Sequence, residues 1–417
     1  MKKLFSLLLV AAMCIMMFAG CGTKAPAETT AAPVETTAAP AETTAAPAET
    51  TAAPDETTAA PAAAGTIKIG MSGPLTGGAS AYGIAVKTGM EIAVEEINAL
   101  GGVQIEFMSQ DDQADPTMAV DAYNALKDWG MQIFAGNVTS GAANAVAPET
   151  VADGFFNLTP SASAESIALA GSNVFQMCFT DPNQGAAAAE QVSSNNMGTS
   201  VGVIYDSSDD YSTGLYNGFM KRATELGIQV VCEMSFTSDN KSDLSTQVTK
   251  CQEMGADLVF LPIYYTEAAQ ILTIANKMGY APKFFGCDGM DGILGVEGFN
   301  TELAEGLLLM TPFDATSSDP AVASFVAKFQ DRMNGLIPNQ FAADGYDVIY
   351  AIYDAITAAG LTGNESTEDI TAAMIAQFGS MTVNGLTGAS MTWDANGMIS
   401  KTPAIVVVEN GAYVPMA

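Results

Sequence analysis

Not one histidine occurs in the 417 residues. That removes the commonest general base, the Ser-His and Cys-His nucleophile pairs, and the commonest metal ligand. Positive charge is scarce as well: 15 lysines and arginines stand against 46 aspartates and glutamates, for a formal net charge of −31. A surface that acidic repels nucleic acid and anionic lipid, so neither is expected as a direct partner. Charged residues of both signs make up only 15% of the chain and hydrophobic ones 48%, a globular composition. Cysteine is sparse, with six in all. Cys178, Cys232, Cys251 and Cys287 are far apart and show no CxxC spacing. Neither a metal site nor a dense disulfide framework is therefore expected. They read as small buried thiols, with one disulfide as the alternative. The length exceeds one ordinary domain, so two core-bearing lobes are the default.

What is present begins with a short basic start, Met1-Lys2-Lys3, and an apolar run from Leu4 to Gly20. This reads as a signal peptide; a retained membrane anchor is the competing reading, since the run could barely span a bilayer. Phe18-Ala19-Gly20-Cys21 resembles the bacterial lipobox, with Phe18 where leucine is usual. The resemblance implies lipid modification of Cys21, and several acyl chains on one cysteine anchor stably. From Ala27 to Pro61 the unit A-E-T-T-A-A-P recurs five times, with Val34 and Asp55 as variants. A coiled coil is excluded, because no position carries large apolar side chains and each unit has a helix-breaking proline. Residues 21–64 are therefore expected to be a disordered tether. Fully extended it would reach on the order of 120 Å, at about 3.1 Å per residue.

From residue 65 the pattern is strand and helix in alternation. Thr66–Met71 reads as a buried strand and Tyr82–Asn98 as an amphipathic helix stopped by Gly101-Gly102. Val103–Met108 is strand, and Asp115-Pro116 starts a helix running to Trp129. The alternation continues through strands at 131–135, 155–158, 201–205, 228–236 and 258–261, and helices at 140–152, 183–195, 211–226, 242–254 and 267–278. Turn-bearing strands follow around Val383–Gly385 and Trp393–Gly397, then Ala404–Val408. Such alternation means parallel sheets covered on both faces. Ligands of such sheets sit outside the carboxyl ends of the strands.

At those ends stand M-S-G-P-L-T-G (71–77), D-D-Q-A-D-P (111–116), T-P-S-A-S (159–163), Y-D-S-S-D-D-Y-S-T-G (205–214), G-A-D-L-V-F (255–260) and W-D-A-N-G (393–397). In order and spacing these resemble the type I periplasmic-binding family, in its leucine/isoleucine/valine-binding branch. The resemblance implies an α/β fold of two doubly wound parallel-sheet lobes joined by three crossovers, with a cleft that closes on ligand. It places one lobe at 65–180 plus 310–386 and the other at 181–309 plus 387–417, with crossovers near Thr180, Met310 and Leu386. It implies a monomeric, lipid-anchored extracytoplasmic binding protein that hands its ligand to the permease and ATPase of an ABC importer. No enzyme activity, cofactor or metal is expected.

A free amino acid carries two charges, and each must be paired when buried. Ser140 opens a helix after a strand, where hydroxyl and free N–H groups suit a carboxylate; a plain N-cap serine is the other reading. Ser161 and Ser163 can complete that cradle, or simply form a turn. In the similar proteins the matching positions bind the ligand carboxylate. Asp288, in F-F-G-C-D-G, has no adjacent Lys or Arg, so the ligand ammonium is a natural partner; a turn aspartate is the alternative, and Asp291 is the reserve candidate. The family carries an acid here. Tyr82, Tyr211 and Tyr264 can wall the pocket or face the ammonium, with Phe341 added from the far lobe. Asn137 and Thr139 flank Ser140 and are expected to shape the pocket, Thr139 favouring a smaller or more polar side chain than leucine. Asp111, Asp112 and Asp115 are the densest acid cluster, but without EF-hand spacing they read as structural. Gly198–Gly202 matches G-x-S-x-G yet leads into a strand, with no histidine to serve it. A branched-chain or other neutral amino acid is the expected ligand. A short amide, urea or small aromatic acid on the same fold, or a ligand-sensing surface lipoprotein, are the alternatives.

Overall fold

A computed structural model describes residues 65–416. The leader, Cys21 and the repeat segment lie outside the described residues. The first half of the described chain reads β1 (Thr66–Gly73), α1 (Ser80–Leu100), β2 (Gln104–Asp111), α2 (Pro116–Trp129), β3 (Ile133–Phe134), α3 (Ser140–Asp153), β4 (Phe156–Thr159), α4 (Glu165–Ala168), β5 (Val174–Gln176), α5 (Asp181–Ser194), β6 (Val201–Asp206), α6 (Asp210–Leu226) and β7 (Val230–Phe236). There follow α7 (Ser245–Glu253), β8 (Leu258–Leu261), α8 (Tyr265–Lys277), β9 (Lys283–Gly286), three short 3₁₀ turns beginning at Asp288, β10 (Leu308–Thr311), α9 (Pro320–Arg332), α10 (Gln340–Ala359) and α11 (Thr367–Phe378). The chain ends in β11 (Val383–Gly385), β12 (Gly388–Met391), β13 (Ala404–Glu409) and β14 (Ala412–Pro415).

Two main sheets result. The first has the order β2-β1-β3-β4-β5, and its strand pairings are all parallel. The second has the order β14-β13-β10-β9-β8-β6-β7, parallel from β10 to β7 and antiparallel at β13 and β14. Strand order reverses at β1/β3 in the first sheet and at β6/β8 in the second. Both switch points open crevices at the carboxyl ends of their strands. The strands are apolar because both faces are covered: β4 and β8 are buried at every residue.

Local chemistry explains the helix starts. Asp115 caps α2 by accepting from Thr117 N and Met118 N at 2.9 Å, ahead of Pro116, so one orphan turn is satisfied. The rest of the acid cluster is equally committed. Asp111 accepts from Leu75 N at 2.8 Å and Thr76 Oγ1 at 2.6 Å, and Asp112 accepts from Ser72 Oγ at 2.7 Å. Helices α1 and α10 pack so closely that a Cβ on Gly89 would stand 1.9 Å from the carbonyl oxygen of Ala342, so only glycine fits there.

The third passage between lobes differs from the expectation. The segment after Leu386 stays with the first sheet: β12 pairs with β11, Trp393 packs on Phe378 at 4.5 Å, and Trp393 Nε1 donates to Gln176 O at 2.8 Å. The chain joins the second sheet only at Ala404, where β13 pairs with β10. Beside that passage Lys401 Nζ lies 3.0 Å from Asp344 Oδ1 and 2.7 Å from Thr387 Oγ1. Both members of this ion pair are almost fully buried, at 1% and 2% side-chain exposure. No helix among the described residues is long and apolar enough to cross a membrane.

Candidate functional site

The carboxyl ends of the two sheets face one another across a small cavity. Its walls bring together Tyr82, Thr139, Ser140, Ser161, Ser163, Tyr211, Tyr264, Asp288 and Phe341, with Val138 and Gly289 added, around a tight space of which only about 10 Å³ is open to a water-sized sphere. Tyr82 follows β1, Thr139 and Ser140 follow β3, and Ser161 and Ser163 follow β4. From the other sheet, Tyr211 follows β6, Tyr264 follows β8 and Asp288 follows β9. Phe341 comes from the first turn of α10. Among the described residues, no lysine or arginine lines the cavity.

The first-sheet wall is a knot of hydroxyls. Ser140 Oγ accepts from Ser163 N and Ala164 N at 3.2 Å each. Ser161 Oγ donates to Val138 O at 2.8 Å, and Thr159 Oγ1 donates to Asn137 O at 2.6 Å. These bonds lock the loops after β3 and β4 together. Two hydroxyls are left over: Thr139 Oγ1 and Ser163 Oγ are buried without a partner of ordinary geometry. Unpaired buried polar groups carry a cost, which a ligand bringing donors and acceptors would remove. Thr139, not Ser140, is the N-cap of α3, and it makes no capping bond, so its hydroxyl stays available.

The opposite wall centres on Asp288, 2% exposed. Its Oδ1 accepts from Tyr211 Oη at 2.7 Å and from Gly289 N at 2.9 Å. Burial pushes this carboxyl up from its usual range, while bonds from Tyr211 and Gln184 pull it back. The neighbouring Tyr211 phenol is pushed well up by burial and then by the Asp288 charge. Tyr211 and Tyr264 stack at 4.8 Å, and Tyr82 meets Phe341 at 4.4 Å. Together they make an aromatic floor between a hydroxyl wall and an acid wall. An ammonium set against Asp288 would supply the positive charge that the wall itself lacks.

The cavity is closed by bonds from one sheet's loops to the other's. Tyr82 Oη donates to Gly289 O, Ala81 N to Tyr265 Oη at 3.2 Å, and Thr266 Oγ1 to Gly78 O at 2.9 Å. Gln340 N donates to Asp291 Oδ2 at 2.8 Å, and Asn144 Nδ2 to Asp210 Oδ2 at 2.6 Å. Asp291 is thus a closure contact and stands outside the cavity lining. Asn137 also turns away: its Nδ2 donates to Ser72 Oγ at 3.1 Å and Asp112 Oδ2 at 3.2 Å, so it braces the ends of β1 and β2 and does not shape the pocket. A wider, mostly apolar chamber lies beyond Tyr265 and Asp291, but the hydroxyl wall and Asp288 face the smaller cavity.

Sequence reasoning missed Asp181, the first residue of α5. It is 1% exposed, and both its oxygens lack a partner of ordinary geometry. Its N–H donates to Ser163 O at 2.9 Å. Burial pushes its carboxyl well up, with the nearby Ser163 hydroxyl pulling the other way. The one available signal was Asp181-Pro182, the same helix-start dipeptide as Asp115-Pro116.

These buried acids set a pH dependence. Burial pushes Asp291 up to about 7, and Asp181 and Asp288 shift in the same direction. Between the ordinary carboxylate range and about pH 7 the folded state therefore holds protons that the unfolded chain has released. Stability then falls as pH rises through that window. The depressed carboxyls, Asp111, Asp153 and Asp257, act below that window. Ligand-free protein is expected to melt several degrees higher at pH 5.5 than at pH 8, as followed by calorimetry; a higher melting point at pH 8 would contradict it.

Comparison with known proteins bears on the fold and the family. The model of the family described as periplasmic binding protein matches residues 66–412. The chain belongs to that family. A Leu/Ile/Val-binding protein homolog of Brucella melitensis is 31% identical over 75% of this chain and 83% of its own length. A leucine-, isoleucine-, valine-, threonine- and alanine-binding protein of Pseudomonas aeruginosa is 28% identical over the same shares. Among solved structures, a leucine binding protein LivK from Thermotoga maritima superposes with a TM-score of 0.75 at 30% identity, covering 84% of this chain and 98% of its own. A periplasmic binding protein of this family is a pair of α/β lobes, and the type I fold read from the sequence is the fold present.

Proposed function

We propose that this chain is the extracytoplasmic solute-binding component of an ABC importer and takes a free branched-chain or other neutral amino acid. The observation that carries the reading is the cavity's division of labour. The unpartnered Thr139 hydroxyl, the Ser163 hydroxyl beside Asp181 and the Ser140 loop stand on one side, and buried Asp288 on the other. A zwitterion fits that division: its carboxylate meets hydroxyls and helix-end N–H groups, and its ammonium meets Asp288. Tyr82, Tyr211, Tyr264 and Phe341 take the side chain. The family's relatives named for leucine, isoleucine and valine, and a 26%-identical Streptococcus pneumoniae LivJ structure holding isoleucine, support the same reading.

Binding is reversible and involves no chemistry. The solute enters between parted lobes, and the Tyr82–Gly289, Ala81–Tyr265 and Gln340–Asp291 contacts form as they close. The closed form then docks on the permease. Export and acylation at Cys21 would anchor the head, with the repeat segment as its tether, and the head works as a monomer.

A thermal-shift screen of the twenty amino acids, small amides and aromatic acids tests this. At about 100 times its Kd a cognate ligand stabilises by roughly 2.7 kcal/mol, visible as an upward shift of several degrees. A neutral amino acid is expected to give the largest shift. A melting curve moved by an aromatic acid or amide and by no amino acid would overturn the assignment.

A further inference from the structure

Two of the four free cysteines are in contact. Cys232 on β7 and Cys251 on α7 lie 3.4 Å apart, sulfur to sulfur, and both are buried. Room for them comes from Gly202 on the adjoining strand, where a Cβ would stand 3.0 Å from Cys251 Sγ and 3.2 Å from Ala256. A side chain there would press on the Cys251 sulfur, which would have to give by a few tenths of an ångström. β7 is the edge strand of the second sheet, and α7 follows it directly in the chain. Cys178 and Cys287 make no such sulfur contact among the described residues.

We propose that Cys232 and Cys251 are a disulfide-forming pair that clips α7 to the edge strand β7. Two sulfur atoms in contact on facing elements at 3.4 Å have only to close to the roughly 2.05 Å of a bond. The oxidant is an external disulfide, either glutathione disulfide or the disulfide of an extracytoplasmic thiol oxidoreductase. One cysteine thiolate attacks it, forming a mixed disulfide and expelling the first external sulfur. The second cysteine displaces the other external sulfur and closes the protein bond. Two electrons pass to the external disulfide, and the two protons lost by the cysteines leave with its sulfurs as thiols.

Timing follows from burial. Burial, then the adjoining Cys232, pushes the Cys251 thiol up, so the finished fold holds little thiolate and exchanges slowly. The bond therefore forms while strand and helix assemble. Once made, it restrains the unfolded chain across a short loop and fixes an edge that would otherwise fray. The presence of the bond in the cell rests on the export reading, because an oxidising compartment is needed. The capacity to form it rests on the geometry alone.

The full chain, reduced and unfolded, is refolded with glutathione disulfide, alkylated and digested with trypsin. Peptides 223–241 and 251–277 are expected to appear as one linked species. Reductant should then lower Tm by about 3–10 °C. The Cys232→Ser/Cys251→Ser variant should lose both the linked species and the response to reductant. Recovery of both thiols alkylated, or of either one linked to Cys178 or Cys287 instead, would overturn the pairing. Refolding in vitro does not depend on export, which acylation of Cys21 in cells reads separately.

Discussion

Replacing Asp288 with alanine is expected to weaken amino-acid binding by a hundredfold or more. An ammonium set against Asp288 would be held out of water on that side by Tyr211, Gly289 and the aromatic floor. Breaking a buried charged pair from one side costs on the order of 3–5 kcal/mol, and 1.4 kcal/mol is a factor of ten. The ligand-free variant should still fold, since Tyr211 Oη continues to accept from Gly289 N at 2.8 Å. The loss should therefore appear in calorimetric affinity and not in expression or in the apo melting point. Unchanged affinity would show that the ammonium lies elsewhere or that the ligand has none.

The second large effect concerns stability. Lys401→Met removes the cation from a pair buried on both sides, and leaves Asp344 next to Asp347, itself buried and engaged with Leu386 N and Thr387. A destabilisation of about 3–5 kcal/mol is expected, a fall in Tm of roughly 5–15 °C. Burial already holds the Asp344 carboxyl up at about 7 against the pull of Lys401. The orphaned acid can therefore take up a proton at low pH, and the loss should be larger at pH 8 than at pH 5.5. Adding Asp344→Leu should recover most of it, because removing both partners of a buried pair is often near neutral. A single variant melting like the parent at pH 8 would contradict this account of the third passage between lobes.

How far such features can be read from sequence depends on whether they are local. The alternation of buried strands and capped helices is local, and it placed β1 to β4 and β6 to β8 within a few residues, while the three-residue β5 went unread. The cavity residues were legible for the same reason: in an α/β sheet the carboxyl end of each strand is marked by where the apolar run stops, and Ser140, Ser163, Tyr211 and Asp288 all stand just past such a point. What depends on contacts between distant segments was not legible. The hairpin after Leu386 shows its turns in the sequence, but nothing there says that Trp393 will reach Gln176 and Phe378. Asn137 sits three residues from Ser140, yet its side chain is claimed by Ser72 on β1 and by Asp112 just past β2. Helices α9 to α11 fall outside the alternation read from the sequence, although Asp319-Pro320 carries the same start signal as Asp115-Pro116. The contact of Cys232 with Cys251 depends on a glycine on a third element.

The most direct test of the central claim is a crystal structure of the protein with the amino acid that gives the largest thermal shift. The account predicts one molecule enclosed between the sheets. Its carboxylate should lie within hydrogen-bonding distance of the Thr139, Ser140 or Ser163 hydroxyls, and its ammonium against Asp288. A molecule bound elsewhere, or one seated in the cavity with its ammonium turned from Asp288, would contradict it.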